Sequence, residues 1–283
     1  MDFFLPGMIH VDGKCGKYPA ISITGRHCSL GCLHCKGSLL ENMLVCDTPD
    51  KLKNKLLELE NEGMKGALIS GGCDEDGRLP WDQFLPILTN LETSLFLSAH
   101  AGLNVDANTA KALKASVLRQ VLIDVTVDDD TISEVYRVKN PRVVLQTIEN
   151  LYKYGPQVVP HVIVGIYKGQ IKGEYEALDL LSKYSDSFVI LVVLMPINKE
   201  FSPPPLDDVL NVFRYARKRF KKLGLGCARP RGVYRHKLEE ALINEGLIDR
   251  LAVWSDKTIS QVEGIGEKIN YHYTCCSLMA DDL

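Results

Sequence analysis

Residues 24–37 read Thr24-Gly25-Arg26-His27-Cys28-Ser29-Leu30-Gly31-Cys32-Leu33-His34-Cys35-Lys36-Gly37. Three cysteines, Cys28, Cys32 and Cys35, follow one another as C-x3-C-x2-C. They belong to one loop folded around one small object, either an iron–sulfur cluster or a zinc ion. The zinc alternative makes His34 a fourth ligand, and the crowding of Cys32, His34 and Cys35 makes that geometry awkward. Three thiolates leave one iron of a four-iron cluster without a protein ligand. An open iron suits chemistry better than electron storage.

Outward from this loop the chain alternates short apolar runs with helical periodicity. Ala20–Thr24 is the first expected strand and delivers the cysteines at its C-terminal end. Thr48 is placed to cap a helix begun by Pro49. Leu52, Leu56 and Leu59 then repeat at helical spacing up to Gly63. Further strands are expected at 66–70, 94–99, 120–126, 157–165, 187–194, 223–228 and 250–254. Helices are expected at 81–92, 106–115, between 130 and 154, at 173–184, 206–222, 235–245 and 256–268. Runs such as Phe188-Val189-Ile190-Leu191-Val192-Val193-Leu194 read as strands buried on both faces. Eight β/α pairs without repeat or linker predict an α/β chain with one (β/α)8 TIM-type barrel over 20–268. It is flanked by an N-terminal extension, 1–19, crossing one end of the barrel, and a cysteine-bearing tail, 269–283.

The chain has 283 residues, 46% of them hydrophobic, which is enough for a large core in one domain. A net charge of −3 offers no basic field for nucleic acid. No apolar run is long enough to span a membrane, and the first residues lack the pattern of a signal peptide. Nine cysteines in such a chain predict reduced thiols, metal sites and a cytoplasmic setting.

The cysteine spacing just after a first strand resembles the radical S-adenosylmethionine (SAM) superfamily. That likeness implies a 4Fe-4S cluster on Cys28, Cys32 and Cys35, with the open iron chelating SAM. Reductive cleavage of SAM then gives a 5′-deoxyadenosyl radical that abstracts hydrogen from the substrate. His34 departs from the pattern, since the residue before the last cysteine is usually Tyr, Phe or Trp.

Barrels of this kind place their chemistry at the C-terminal ends of the strands. Ser70-Gly71-Gly72-Cys73 follows the second strand, where the likeness implies that Gly71 and Gly72 carry the SAM amino group on backbone carbonyls. A tight turn with a buried Cys73 is the plainer alternative. His100 follows the third strand and is a candidate for contact with SAM or substrate. Asp124, at the end of the fourth, is a candidate anchor for a ribose or a basic partner. Gly169, Ile171, Gly173 and Glu176 fit G-x-I-x-G-x-x-E after the fifth strand, resembling a motif whose apolar residue lies against adenine. Arg229 and Arg231, after the seventh, are placed to bind a carboxylate through a forked contact.

Cys275 and Cys276 are adjacent on the tail. With Cys73 and Cys227 they are candidate ligands of a second, auxiliary cluster, on the expectation that the tail folds back across the mouth. Cys46 reads as a small buried hydrophobe, and Cys15 as an inert thiol.

These loops narrow the likeness to the biotin synthase branch, nearest to the archaeal-type two-component lipoyl synthases. The likeness implies sulfur insertion into an octanoyl group on a carrier protein, with a second radical SAM subunit as partner. A biotin-type insertion, a carbon-skeleton rearrangement, or a non-catalytic iron–sulfur or zinc protein are the alternatives.

Overall fold

The computed structural model describes residues 1–11 and 13–278. Residues 279–283, the end of the expected tail, lie outside the described residues. All eight expected strands form, as Ala20–Ser22, Gly66–Ser70, Phe96–His100, Gln120–Asp124, Gln157–Val164, Phe188–Val193, Lys222–Leu225 and Arg250–Ala252. They pair in chain order, every ladder parallel. The result is a curled parallel sheet, a half-barrel of α/β type.

Helices return the chain between strands. Thr48 accepts from Lys51 N at 3.3 Å and starts the helix Pro49–Asn61, which buries Leu52, Leu56 and Leu59. Each of these leucines contributes on the order of 2 kcal/mol by leaving water. The helix expected at 206–222 ends at Arg217, and the region 130–154 divides into Thr131–Val135 and Arg142–Tyr154. No helix among the described residues is long and apolar enough to cross a membrane.

Closure differs from the expected barrel. The eighth strand does not pair with the first. It pairs with Asp2–Phe4, which pairs in turn with Asn270–His272. Residues 2–4 therefore lie inside the sheet, and Met8, Ile9, His10 and Val11 line a cleft with Cys227 and Trp254 at its mouth. Phe3, Phe4 and Leu5 are fully buried, and three residues are too few to show a strand period. Backbone bonds from Lys17 N to Tyr273 O (2.6 Å) and Gly7 N to Tyr18 O (3.0 Å) hold the seam.

Strand parity sorts the interior. Val121, Ile123, Val189, Leu191, Leu223 and Leu225 pack with the helices. Their alternates Leu122, Val159, Ile190, Val192 and Ala252 pack together on the concave side, and Cys276 joins them. The tail therefore sinks into the concave side and does not lie across the mouth. Its end is fastened at the strand starts, where Gln120 Nε2 donates to Ser277 Oγ (3.0 Å) and Arg250 Nη1 to Cys276 O (3.0 Å). Arg250 is buried there between the rings of Phe4 and Phe188.

Candidate active site at the mouth of the sheet

The cysteine loop is held from three sides. Ser29 N and Leu30 N both donate to Cys73 O, at 2.8 and 3.2 Å. Leu33 N donates to Val135 O (2.8 Å), and Asn198 Nδ2 to Leu33 O (2.9 Å). Within the loop, Lys36 N donates to Cys32 O and Ser38 N to Cys35 O, both at 2.9 Å. A Cβ at Gly72 would stand 2.0 Å from His27 O and 2.5 Å from Cys28 Cβ, so only glycine fits under the loop. Gly72 N also donates to Thr24 Oγ1 at 2.6 Å, and Gly71 packs against Leu79 and Thr24.

The thiols of Cys32 and Cys35 touch. That contact and burial push Cys32 up, while contact with Cys32, then with the His34 ring and the Gly37 N–H, holds Cys35 down. His34 meets Tyr136 edge-on, with ring centroids 5.4 Å apart. Among the described residues no three His, Cys, Asp or Glu side chains converge on a single-ion position.

Cys73 belongs to this group. Burial, then the nearby Cys28, pushes its thiol up to about 12. It stands beside Cys28 and Cys35, and the expected set of Cys73, Cys227, Cys275 and Cys276 is not brought together. Of the other three, only Cys275 and Cys276 are in contact. That contact lowers Cys275 and raises Cys276, and Cys227 is within electrostatic reach of both. Ser277 Oγ donates to Cys275 Sγ at 3.1 Å. Cys227 is open to solvent in the mouth, Cys46 is buried as expected, and Cys15 is exposed.

Gly169, Ile171 and Gly173 line a cleft of about 1120 Å³, with Asp128–Asp130 and Pro203 on its other walls. Gly169 and Gly173 both have φ of +91°, the left-handed region that favours glycine. The buried acid of this loop is Glu174, not Glu176. Its carboxylate accepts from Gly165 N at 2.7 Å and pins the loop to the fifth strand.

Arg229 is also placed differently from expectation. It is buried and all its N–H groups are used, on Glu239 and on the carbonyls of Gly226, Ala252 and Val253. No donor is left for a ligand. Arg231 is exposed and makes no hydrogen bond or ion pair among the described residues.

His100 faces the concave side near His161, with centroids 6.3 Å apart, and Asp124 is in register with His161 on the neighbouring strand. Burial lowers both histidines, His161 to about 4, and Asp124 acts the other way. His161 is absent from the sequence expectations. Its signal was present, as a polar residue with concave-side parity in the apolar run Gln157–Val164.

The family model for the radical SAM superfamily matches residues 22–181, more than half of the chain. The chain belongs to the radical SAM superfamily, whose members use SAM and a 4Fe-4S cluster. Among solved structures it is similar to methylornithine synthase (PylB), with 13% identity and a TM-score of 0.53 over 85% of this chain and 72% of that one. It is similar to SuiB of Streptococcus suis, with 14% identity and a TM-score of 0.55 over 86% of this chain and 54% of that one. SuiB bound to S-adenosylmethionine and SuiB bound to the precursor peptide SuiA match at TM-scores of 0.55 and 0.52. The chain thus spans about half of the SuiB chain. At these identities the likeness is one of fold. No curated protein matches the chain.

Proposed function

We propose that this chain is a radical SAM sulfur-inserting enzyme of the biotin synthase branch, one component of a two-component lipoyl synthase acting on a protein-bound octanoyl group. The observation that supports this reading is the contact of Cys275 with Cys276, with Cys227 within electrostatic reach of both, apart from the cysteine loop.

Cys28, Cys32 and Cys35 would hold the 4Fe-4S cluster, and the donor set fits it. When bound, cluster and SAM supply a 5′-deoxyadenosyl radical at the mouth. By the superfamily likeness, Gly71 and Gly72 would present backbone to the SAM head, and the loop of Gly169, Ile171 and Gly173 would bound the adenosyl side. His100, neutral through burial, offers the substrate a hydrogen-bonding group without a charge. Cys227, Cys275 and Cys276 would hold an auxiliary cluster as sulfur source. Three thiols replace the four expected, since Cys73 stands with the first set. Reduced thiols suit a cytoplasmic setting. SuiB, which shares the fold, binds a precursor peptide, and a protein-borne substrate is in keeping with that. A second radical SAM subunit would perform the companion insertion.

The test uses reconstituted protein, SAM, a strong reductant and a peptide containing Nε-octanoyl-lysine. Mass spectrometry should find sulfur in place of hydrogen on the octanoyl chain. Formation of 5′-deoxyadenosine with no sulfur on any octanoyl substrate would overturn sulfur insertion and move the function toward a rearrangement.

A further inference from the structure

His34 stands in the stretch Cys32-Leu33-His34-Cys35, between two cysteines of the metal loop. Its neighbours in the chain are fixed. Leu33 N donates to Val135 O at 2.8 Å, and Leu33 O accepts from Asn198 Nδ2 at 2.9 Å. The ring meets buried Tyr136 edge-on, and the carbonyl of Tyr136 accepts from Cys32 Sγ at 3.4 Å. The loop belongs to an apolar cluster with Ile132, Val135 and Tyr136, where little water weakens a hydrogen bond.

His34 Nδ1 is shut off from solvent and has no hydrogen-bond partner among the described residues. A buried nitrogen left in that state costs free energy that a phenyl ring packed on Tyr136 would not. The carbonyls of Cys32, Leu33 and Cys35 already accept, from Lys36 N, from Asn198 Nδ2, and from Ser38 N and Oγ. Beside the ring stands sulfur. The Cys35 thiol is in contact with it, and Cys28 and Cys32 share its cluster of side chains. An iron–sulfur cluster on those thiols brings further acceptors to this place, and hydrogen bonds to its sulfurs set its reduction potential. An N–H directed at sulfur favours the reduced cluster, which carries the extra negative charge.

We infer that Nδ1–H of His34 donates to a sulfur of the cluster held by Cys28, Cys32 and Cys35 and raises its reduction potential. His34 then acts through the cluster and not on the substrate. The inference rests on the superfamily's 4Fe-4S cluster and not on sulfur insertion.

The test reads a potential, not turnover. The parent is reconstituted protein carrying Cys275→Ser and Cys276→Ala, so that one cluster is titrated. It is reduced stepwise without SAM and followed by electron paramagnetic resonance. His34→Phe keeps a ring on Tyr136 and removes the donor. It should hold about four irons, as the parent does. Its reduction should be about tenfold less favourable, a potential about 59 mV lower for one electron. His34→Asn puts an amide nitrogen where Nδ1 stands and should return most of the shift. His34→Gln, whose amide reaches the place of Nε2, should not. Equal potentials in His34→Phe and the parent would overturn the inference. Loss of iron from His34→Phe would make the ring a ligand and overturn it too, and rescue by His34→Gln alone would pass the role to Nε2. An unchanged potential with weakened SAM binding would give Nδ1 to the nucleotide instead. A parent with no reducible cluster would overturn both the cluster on this loop and the inference. Sulfur insertion is decided by the product assay, so its failure would leave the potentials and the role of His34 standing.

Discussion

Arg229 and Glu239 form a buried ion pair, with Nε and Nη2 of the arginine 2.8 and 2.6 Å from one carboxylate oxygen. Burial pushes the Glu239 carboxyl up, but Arg229, then Thr258 and Arg235, more than offset it and hold it low. The pair ties the loop after the seventh strand to the helix Val233–Asn244.

Removing one partner strands the other charge without water. Arg229→Met should lower stability by about 3–5 kcal/mol, read by denaturant unfolding. SAM affinity of the protein that remains folded should not change. Arg231→Ala, which removes an exposed and unpaired group, should leave stability within about 0.5 kcal/mol. Loss of SAM affinity in Arg229→Met protein of unchanged stability would return Arg229 to the ligand.

Gly72→Ala tests the seat of the cysteine loop. The added methyl would meet backbone at His27 and the Cβ of Cys28. Neither is the far end of a flexible side chain, so the loop must move. The variant should fold yet lose most of its iron after reconstitution and form no 5′-deoxyadenosine. Iron content equal to wild type would show that the loop tolerates the shift.

Most of the fold was legible because strands buried on both faces are continuous apolar runs. Phe188–Val193 is one, and its neighbours follow the same rule. The seam was not legible. Asp2–Phe4 and Asn270–His272 are three residues each, and only partners distant in sequence define them. The metal loop was readable from spacing alone, since Cys28, Cys32 and Cys35 are local. Cys73 and Arg229 were misplaced for the opposite reason. Each stands near the mouth, but its partners, Cys28 and Glu239, are fixed by tertiary contacts that no local pattern records.

His161 makes stability depend on pH. Burial lowers its pKa to about 4, against an ordinary value of 6.5. Between these values the unfolded chain binds more protons than the folded one. Stability is therefore full above about pH 6.5 and falls as the pH drops toward 4, by about 1.4 kcal/mol per unit. Denaturant midpoints across that range should slope less in His161→Asn. Equal slopes would mean that His161 is protonated in the folded protein.

Iron analysis tests most directly whether one chain holds two separate iron–sulfur sites, as proposed. Fully reconstituted wild type should hold about eight irons and the Cys28/Cys32/Cys35→Ala variant about four. The triple variant should form no 5′-deoxyadenosine. Adding Cys275→Ser and Cys276→Ala to it should remove most of the remaining iron, whereas adding Cys73→Ala should not. Wild type that holds only about four irons, all lost in the triple variant, would contradict the second site.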